Sequence, residues 1–187
     1  VIRILHEAAP ELEVHYDGMG TRVTQVWLDN PDLLREPKKM RKAWHWCRRV
    51  RSKSDRKKAL DADVIVTTSG MLDGGPVIWY INRLRHDPAN AILLTGYQAE
   101  GSGGRMLLEH RRLPIWGKNT PVELEVTQFS LSNHAGHSEL ADFARACSPK
   151  HVIIFHADNE PAMALAEDLG SEMEVHIPEN GKSVLIE

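Results

Sequence analysis

The feature that most constrains this chain is an alternation. Short β-branched or aliphatic runs are closed by a glycine-rich turn or a histidine, and stretches with helical spacing follow them. Val64 to Thr68 leads into Ser69-Gly70, Ala91 to Thr95 into the turn from Gly96 to Gly104, and His151 to His156 into Ala157-Asp158. Helical spacing follows from Gly75-Pro76 to His86, from Arg105 onward, and from Glu160 to Leu169, with Pro76 at a tolerated first-turn position. Strands that alternate with helices pair through crossovers, so the expected fold is α/β, a largely parallel sheet flanked by helices. With 42% hydrophobic residues in 187, the chain has enough apolar material for a core, which excludes a disordered polymer. No apolar run approaches the roughly 18 residues needed to span a bilayer, and no signal segment opens the chain. A cytoplasmic protein without membrane partners is therefore expected.

The remaining texture fills in around these units. Leu12 to Tyr16 reads as a strand ending at Asp17-Gly18, Thr21 to Leu34 as an amphipathic helix, and Lys38 to Leu60 as a basic helical segment with a break near Ser52-Lys53-Ser54. After Pro114 the pattern changes, and Val122 to Phe129 alternates as a half-buried strand does. Ser138 to Cys147 is helical, while Glu174 to Ile177 and Ser183 to Ile186 read as closing strands around Glu179-Asn180-Gly181. The chain begins at Val1, inside an apolar stretch of Val1, Ile2, Ile4 and Leu5.

Charge is unevenly spread. Arg35 to Lys58 holds twelve Lys or Arg against Glu36 and Asp55, a local charge of +10, and the remainder of the chain is −13. A concentrated basic stretch on an acidic protein is an electrostatic footprint of phosphate-backbone binding. Trp44, His45 and Trp46 lie within it and offer faces for base stacking. An equally weighted reading is a solvated basic helix whose tryptophans face the core. The two cysteines, Cys47 and Cys147, form no CxxC pair and read as reduced thiols.

The glycine-rich turns after Thr68 and Thr95 place backbone N–H groups and helix termini at the carboxyl edge of a sheet, where anions bind. Neither fits a named phosphate loop. A Walker A loop needs Gly-Lys-Ser/Thr, but Gly104 is followed by Arg105-Met106, and a GxGxxG fingerprint would need glycine where Met106 stands. A nucleophile elbow around Ser69 fails because Thr67 occupies its first glycine position. Two histidines mark strand ends: His134 in Leu131-Ser132-Asn133-His134-Ala135-Gly136-His137 and His156 in Phe155-His156-Ala157-Asp158. Imidazoles at that end of a strand suit ligand and acid–base work. No HxHxDH or HExxH is present, so the chain lacks the compact spacing of a two-metal site.

Five stretches, in order, resemble the β-CASP branch of the metallo-β-lactamase-fold nucleases, which includes an RNA 3′-end processing endonuclease subunit and its archaeal and bacterial relatives. They are Val14-His15-Tyr16-Asp17-Gly18-Met19; Val66 to Leu72 with Gly74-Gly75-Pro76; Gly96-Tyr97-Gln98 with Glu100-Gly101; Ser132 to Gly136; and Val152 to His156. The resemblance covers nearly the whole chain. It implies that His134 is a general acid toward the leaving oxygen, with His137 a competitor for that role. It implies that His156 ligates one of two catalytic zinc ions and that Asp158 supports the site, standing where many members have Glu, with Ala157 where many have Gly. The family's other zinc ligands would lie before Val1, so the chain reads as the C-terminal part of such a nuclease, its metal site incomplete and this chain alone inactive.

On that reading residues 1–128 are a truncated β-CASP domain and 129–187 the C-terminal part of the metallo-β-lactamase domain. Two zinc ions about 3.5 to 4 Å apart would activate water and hold the phosphate in the complete enzyme. Ser69, Gly70, Gly101, Ser102 and Arg105 would hold phosphates along a track between the lobes. The partner implied is single-stranded RNA, and an exposed sheet edge allows a homodimer. Two other readings stand beside it: a catalytically incomplete RNA-binding module, and a small α/β protein that binds a nucleotide at the glycine-rich turns.

Overall fold

The computed structural model describes residues 1–129, 131 and 134–186. The chain divides into two compact units, Val1–Leu131 and Ser132–Glu187. Both are mixtures of helices and short strands.

The first unit opens with a helix, α1 (Ile2–Ala8), where the sequence marks only an apolar stretch. Ile2 and Leu5, one helical turn apart, pack against a cluster of Val14, Leu28 and Trp44. Next come β1 (Val14–Asp17), α2 (Gly20–Asp29) and α3 (Pro37–Trp46), then β2 (Arg48–Arg49), α4 (Lys53–Lys58) and β3 (Val64–Thr67). β1 lies between β2 and β3, parallel to both, with His15 beside Arg48 and Asp17 beside Thr67. The basic segment is therefore not the near-continuous helix expected over Lys38 to Leu60. Its backbone leaves α3 after Trp46 to pair with β1, and helix restarts only where the Ser52 hydroxyl accepts the Asp55 N–H as an N-cap.

The unit continues with α5 (Pro76–Leu84), β4 (Ala91–Leu94), α6 (Gly103–His110), β5 (Arg112–Ile115), β6 (Lys118–Pro121) and β7 (Glu125–Gln128). β4 pairs with β7 in parallel, Ala91 beside Glu125 and Leu94 beside Gln128. β5 and β6 form an antiparallel hairpin about Trp116-Gly117, whose φ values of 48° and 76° are those of a tight two-residue turn. The core below these elements gathers Leu72, Ile78, Ile81, Leu94, Leu107, Leu113 and Leu124. Leu107 and Leu113 are completely buried, a gain of about 2 kcal/mol each.

The second unit comprises α7 (His137–Cys147), β8 (His151–Ile153), α8 (Asn159–Leu169) and β9 (Glu174–His176), with β8 and β9 parallel. Ser183 to Ile186, expected as a closing strand, has no strand structure. Among the described residues the strands form four small sheets, three of them parallel and one the antiparallel hairpin. The chain is thus mixed α/β, its parallel pairing spread over short sheets.

Candidate functional site

The two glycine-rich turns leave the ends of β3 and β4, and side-chain and backbone hydrogen bonds join them. Gln98, only 3% exposed, donates Nε2 to the Gly70 carbonyl at 3.1 Å and to the Gly96 carbonyl at 3.2 Å. The Gly103 N–H donates to Asp73 Oδ1 at 2.8 Å, and the Gly104 N–H to the Met71 carbonyl at 2.8 Å. Backbone closes the space at Gly103, and a side chain at Gly104 would have to displace Gln98. A Cβ on Gly103 would lie 2.5 Å from the Leu72 carbonyl oxygen, and one on Gly104 would overlap Gln98 Oε1. Ser102 caps α6, its hydroxyl accepting the Arg105 N–H at 3.2 Å and its carbonyl the Met106 N–H at 3.0 Å. All the first amides of α6, from Gly103 to Met106, are therefore engaged within the chain.

Of the phosphate-facing candidates, Ser69 is half-buried, Gly70, Gly101 and Arg105 are exposed, and Ser102 is buried beneath its cap. Gly101 has φ +76°, a left-handed conformation natural to glycine. Arg105 Nε donates to Glu109 Oε1 at 2.6 Å, one turn along the helix. The fold thus gathers these five residues on one double turn.

A polar centre that the sequence analysis missed stands at the end of β1. Asp17 is 3% exposed and accepts four hydrogen bonds: Arg56 Nε at 2.6 Å, Arg56 Nη2 at 3.0 Å, the Tyr80 hydroxyl at 2.8 Å and the Gly18 N–H at 2.7 Å. Burial, followed by the hydrogen bond to Asp17, pushes the Tyr80 phenol above its ordinary range. The same carboxylate raises Arg56. Asp17 stands in one of the five family stretches, but its partners lie 39 and 63 positions away and no local motif announces their meeting.

Within the basic segment the two tryptophans serve the fold. Trp44 is buried, with the Arg49 guanidinium 4.8 Å above its ring and Arg49 Nη1 donating to its carbonyl. Trp46 is half-buried and donates Nε1 to the Pro10 carbonyl at 3.0 Å. Base stacking by this pair is accordingly replaced by core packing, while His45 is exposed. Lys38 and Lys42 on α3, Arg51 before α4, and Lys53, Lys57 and Lys58 on α4 are exposed.

In the second unit His134 sits at an exposed bend; Ser132 and Asn133 of its motif lie outside the described residues. Its competitor His137 opens α7 with Nε2 3.1 Å from Asp168 Oδ2. Arg145 donates to Asp168 Oδ1 and to Glu172 Oε1, each at 2.8 Å. Arg145 first, and then His137, hold the Asp168 carboxyl below its ordinary range. His137 is thus engaged in an ion-pair network.

His156 follows β8 at φ +60°, a left-handed backbone that costs a non-glycine residue about 1 to 2 kcal/mol. It is exposed and lines an apolar groove of about 590 Å³ with Leu140, Phe143, Phe155 and Leu165. Asp158 occupies the N-cap of α8. A zinc centre takes three or four protein ligands. Among the described residues His156 belongs to no group of three or more His, Cys, Asp or Glu with converging donor atoms, so these residues offer one donor and do not assemble a two-zinc centre. One such group exists elsewhere in this unit, His151, Glu174 and His176.

Comparison with known proteins gives two family matches in succession: the Beta-Casp domain over residues 2–107, and the Zn-dependent metallo-hydrolase RNA specificity domain over residues 119–178. A curated relative named Probable RNase MJ4, from Methanocaldococcus jannaschii, is 34% identical over 88% of this chain and 40% of its own length. The RNase aCSPSF2 of Saccharolobus solfataricus is 32% identical over 98% of this chain and 38% of its own length. The Transcription termination factor FttA of Methanocaldococcus jannaschii is 34% identical over 82% of this chain and 27% of its own length. The chain thus spans two fifths or less of the length of these relatives. Among the described residues no helix is long and apolar enough to cross a membrane.

Proposed function

The chain belongs to the Beta-Casp domain family, and from that premise we propose that it is part of a zinc-dependent ribonuclease that hydrolyses RNA phosphodiesters in RNA processing or 3′-end maturation. Residues 1–128 are its β-CASP lobe, with the parallel strand pairs as the core of that lobe's sheet. Residues 129–187 belong to its metallo-β-lactamase domain. The observation that carries the reading is the position of His156, in a left-handed conformation three residues after β8 and inside the stretch matched to the RNA specificity domain.

Hydrolysis places an oxygen on phosphorus, breaks the bond to the 3′-oxygen and leaves that oxygen needing a proton. His134, an exposed imidazole on a bend, is the proton donor in this reading. His156 is one ligand of the metal centre, and Asp158 supports its loop. Among the described residues His156 alone would ligate that centre, and zinc bound there would supply an activated water and stabilise the developing charge. Single-stranded RNA is held by side chains: the exposed lysines of α3 and α4, together with Arg105, Ser69 and the loop at Gly70 and Gly101. The amides of α6 are already satisfied, so Ser102 shapes the loop that meets the phosphate. The protein acts in the cytoplasm in this reading, and its homodimer is the oligomer to test.

A second reading, an RNA-binding module without catalysis, is favoured because among the described residues His156 belongs to no group of three or more converging donors. One experiment tests the RNA binding that both readings share and whether a metal centre is complete within this chain. The chain is incubated with zinc and labelled single-stranded RNA, with His156→Ala and a chelator as controls, and binding and cleavage are both read. Salt-sensitive binding without cleavage by the chain is expected. Cleavage lost with the chelator and with His156→Ala would show a centre completed within this chain, and lack of RNA binding at low salt would overturn the proposal.

A further inference from the structure

From the register of β8 and β9 we infer that His151, Glu174 and His176 form a binding site for a divalent first-row transition-metal ion, with Zn²⁺ the natural occupant for this donor set. The inference rests on geometry alone and not on the RNA reading. In the parallel pair, His151 stands beside Glu174 and Ile153 beside His176. Paired residues share a face of a sheet, and so do residues two apart on one strand. The three side chains therefore converge on one face of the two strands.

The spacing is that of ligands. His151 Nδ1 lies 3.3 Å from His176 Nε2 and 3.4 Å from Glu174 Oε2, and His176 Nε2 lies 3.6 Å from Glu174 Oε1. Metal–donor bonds of about 2.0 to 2.2 Å in a tetrahedral site set its donors about 3.4 Å apart. The two nitrogens thus stand at the edge length of such a tetrahedron and each meets a different oxygen of Glu174, while with one ligand atom per residue the three donors all lie within 4.8 Å of one another. The imidazole side chains are 18% and 17% exposed and the carboxylate 65%, so two rings line the floor and the acid closes the outer side. The rings are stacked, with centroids 5.5 Å apart and planes 27° apart. Without a metal, His151 and His176 share one hydrogen bond. A metal accepts the lone pairs of both nitrogens and leaves one position for water. Two imidazoles and a carboxylate suit Zn²⁺ and its neighbours, not the hard ion Mg²⁺. Lys150, which is exposed, and Leu185 line one hollow together with His151 and Glu174. A bound ion would clamp β8 to β9 three residues ahead of the loop that carries His156.

The test uses the full 187-residue chain, stripped with a chelator and titrated with Co²⁺ and then Zn²⁺, without RNA. Expected are one equivalent of Co²⁺ with the visible absorption of a four-coordinate ion, displacement by Zn²⁺ and not by Mg²⁺, and weakening by about tenfold or more in His151→Gln, Glu174→Gln and His176→Gln. A second measurement needs no variant: nitrogen-15 ring shifts of the histidines should move at His151 Nδ1 and His176 Nε2 when Zn²⁺ is added. No uptake at an equimolar ratio would overturn the proposal. So would uptake that survives the His151→Gln, His176→Gln double change and vanishes in His156→Ala, or ring shifts confined to other histidines. Since no RNA enters the assay, neither result bears on ribonuclease activity.

Discussion

Arg56 holds both carboxylate oxygens of Asp17, Nε on Oδ2 and Nη2 on Oδ1, and so ties the basic segment to the end of β1. The carboxylate is buried and the guanidinium about one-third exposed. Removing one partner leaves a charge without its counter-ion in a dry site, which costs about 3 kcal/mol or more. Arg56→Met should lower the urea midpoint accordingly. Tyr80→Phe, which deletes one of four donors, should cost about 1 to 2 kcal/mol, and the exposed Lys53→Ala less than about 0.5 kcal/mol. Equal effects of Arg56→Met and Lys53→Ala in denaturant titrations would show the pair to be a surface contact.

The glycines of the double turn should separate sharply. At Gly103 an added Cβ meets the Leu72 carbonyl at 2.5 Å and Leu113 Cδ1 at 3.0 Å. Gly103→Ala is therefore expected to destabilise by about 1 to 3 kcal/mol, despite alanine's advantage of about 1 kcal/mol in a helix. At Gly70 a Cβ meets nothing within 4 Å, and Gly70→Ala should change stability by less than about 0.5 kcal/mol. Chemical denaturation of the two variants checks the contrast.

Acid should weaken the Asp168 network of the second unit. Because Arg145 and His137 hold that carboxyl below its ordinary range, the folded state binds its proton more weakly than the unfolded state does. The stabilisation is full above the ordinary carboxyl range near pH 4 and is lost as pH falls through the lower folded value. Arg145→Met should thus be less stable than the parent at pH 7, and the gap should close toward pH 3. Thermal unfolding at the two pH values reads it, and a gap of unchanged size would rule out this origin.

RNA affinity should fall with salt in proportion to the lysines in use. For single strands each phosphate contact contributes a slope of about −0.7 in the log–log plot. Lys38→Gln, Lys42→Gln and Lys57→Gln together should flatten the slope by up to about 2. Trp44→Phe should leave it unaltered, since that ring is buried in the core. Fluorescence anisotropy with a labelled oligonucleotide across a salt series measures both, and an unchanged slope in the triple variant would place the RNA elsewhere.

What could be read from the sequence was mostly local. The runs at Val64 and Ala91, the helix opened by Pro76 and the helix ending at Cys147 all carry their signals within a few residues, and they form as expected. The hairpin about Trp116-Gly117 was hidden because Pro114 looks like a breaker, although it lies within β5, opposite Asn119. The basic segment looked helical because lysine and arginine favour helix, but pairing of Arg48 and Arg49 with β1 overrides that preference. The family motifs marked His134 and His156. Asp17 with Arg56 and Tyr80, and His151 with Glu174 and His176, depend on long-range packing and strand register, which the local pattern does not encode.

The bonds joining the double turn have a dynamic consequence. Gln98, Gly103 and Gly104 hold the Gly70 carbonyl, the Asp73 side chain and the Met71 carbonyl, so neither turn can open without breaking the other's contacts. Amide hydrogens on the two turns should therefore exchange with solvent in one cooperative event. A ligand seated at Ser69 would slow exchange at Gly103 and Gly104 as well, although those amides never touch it.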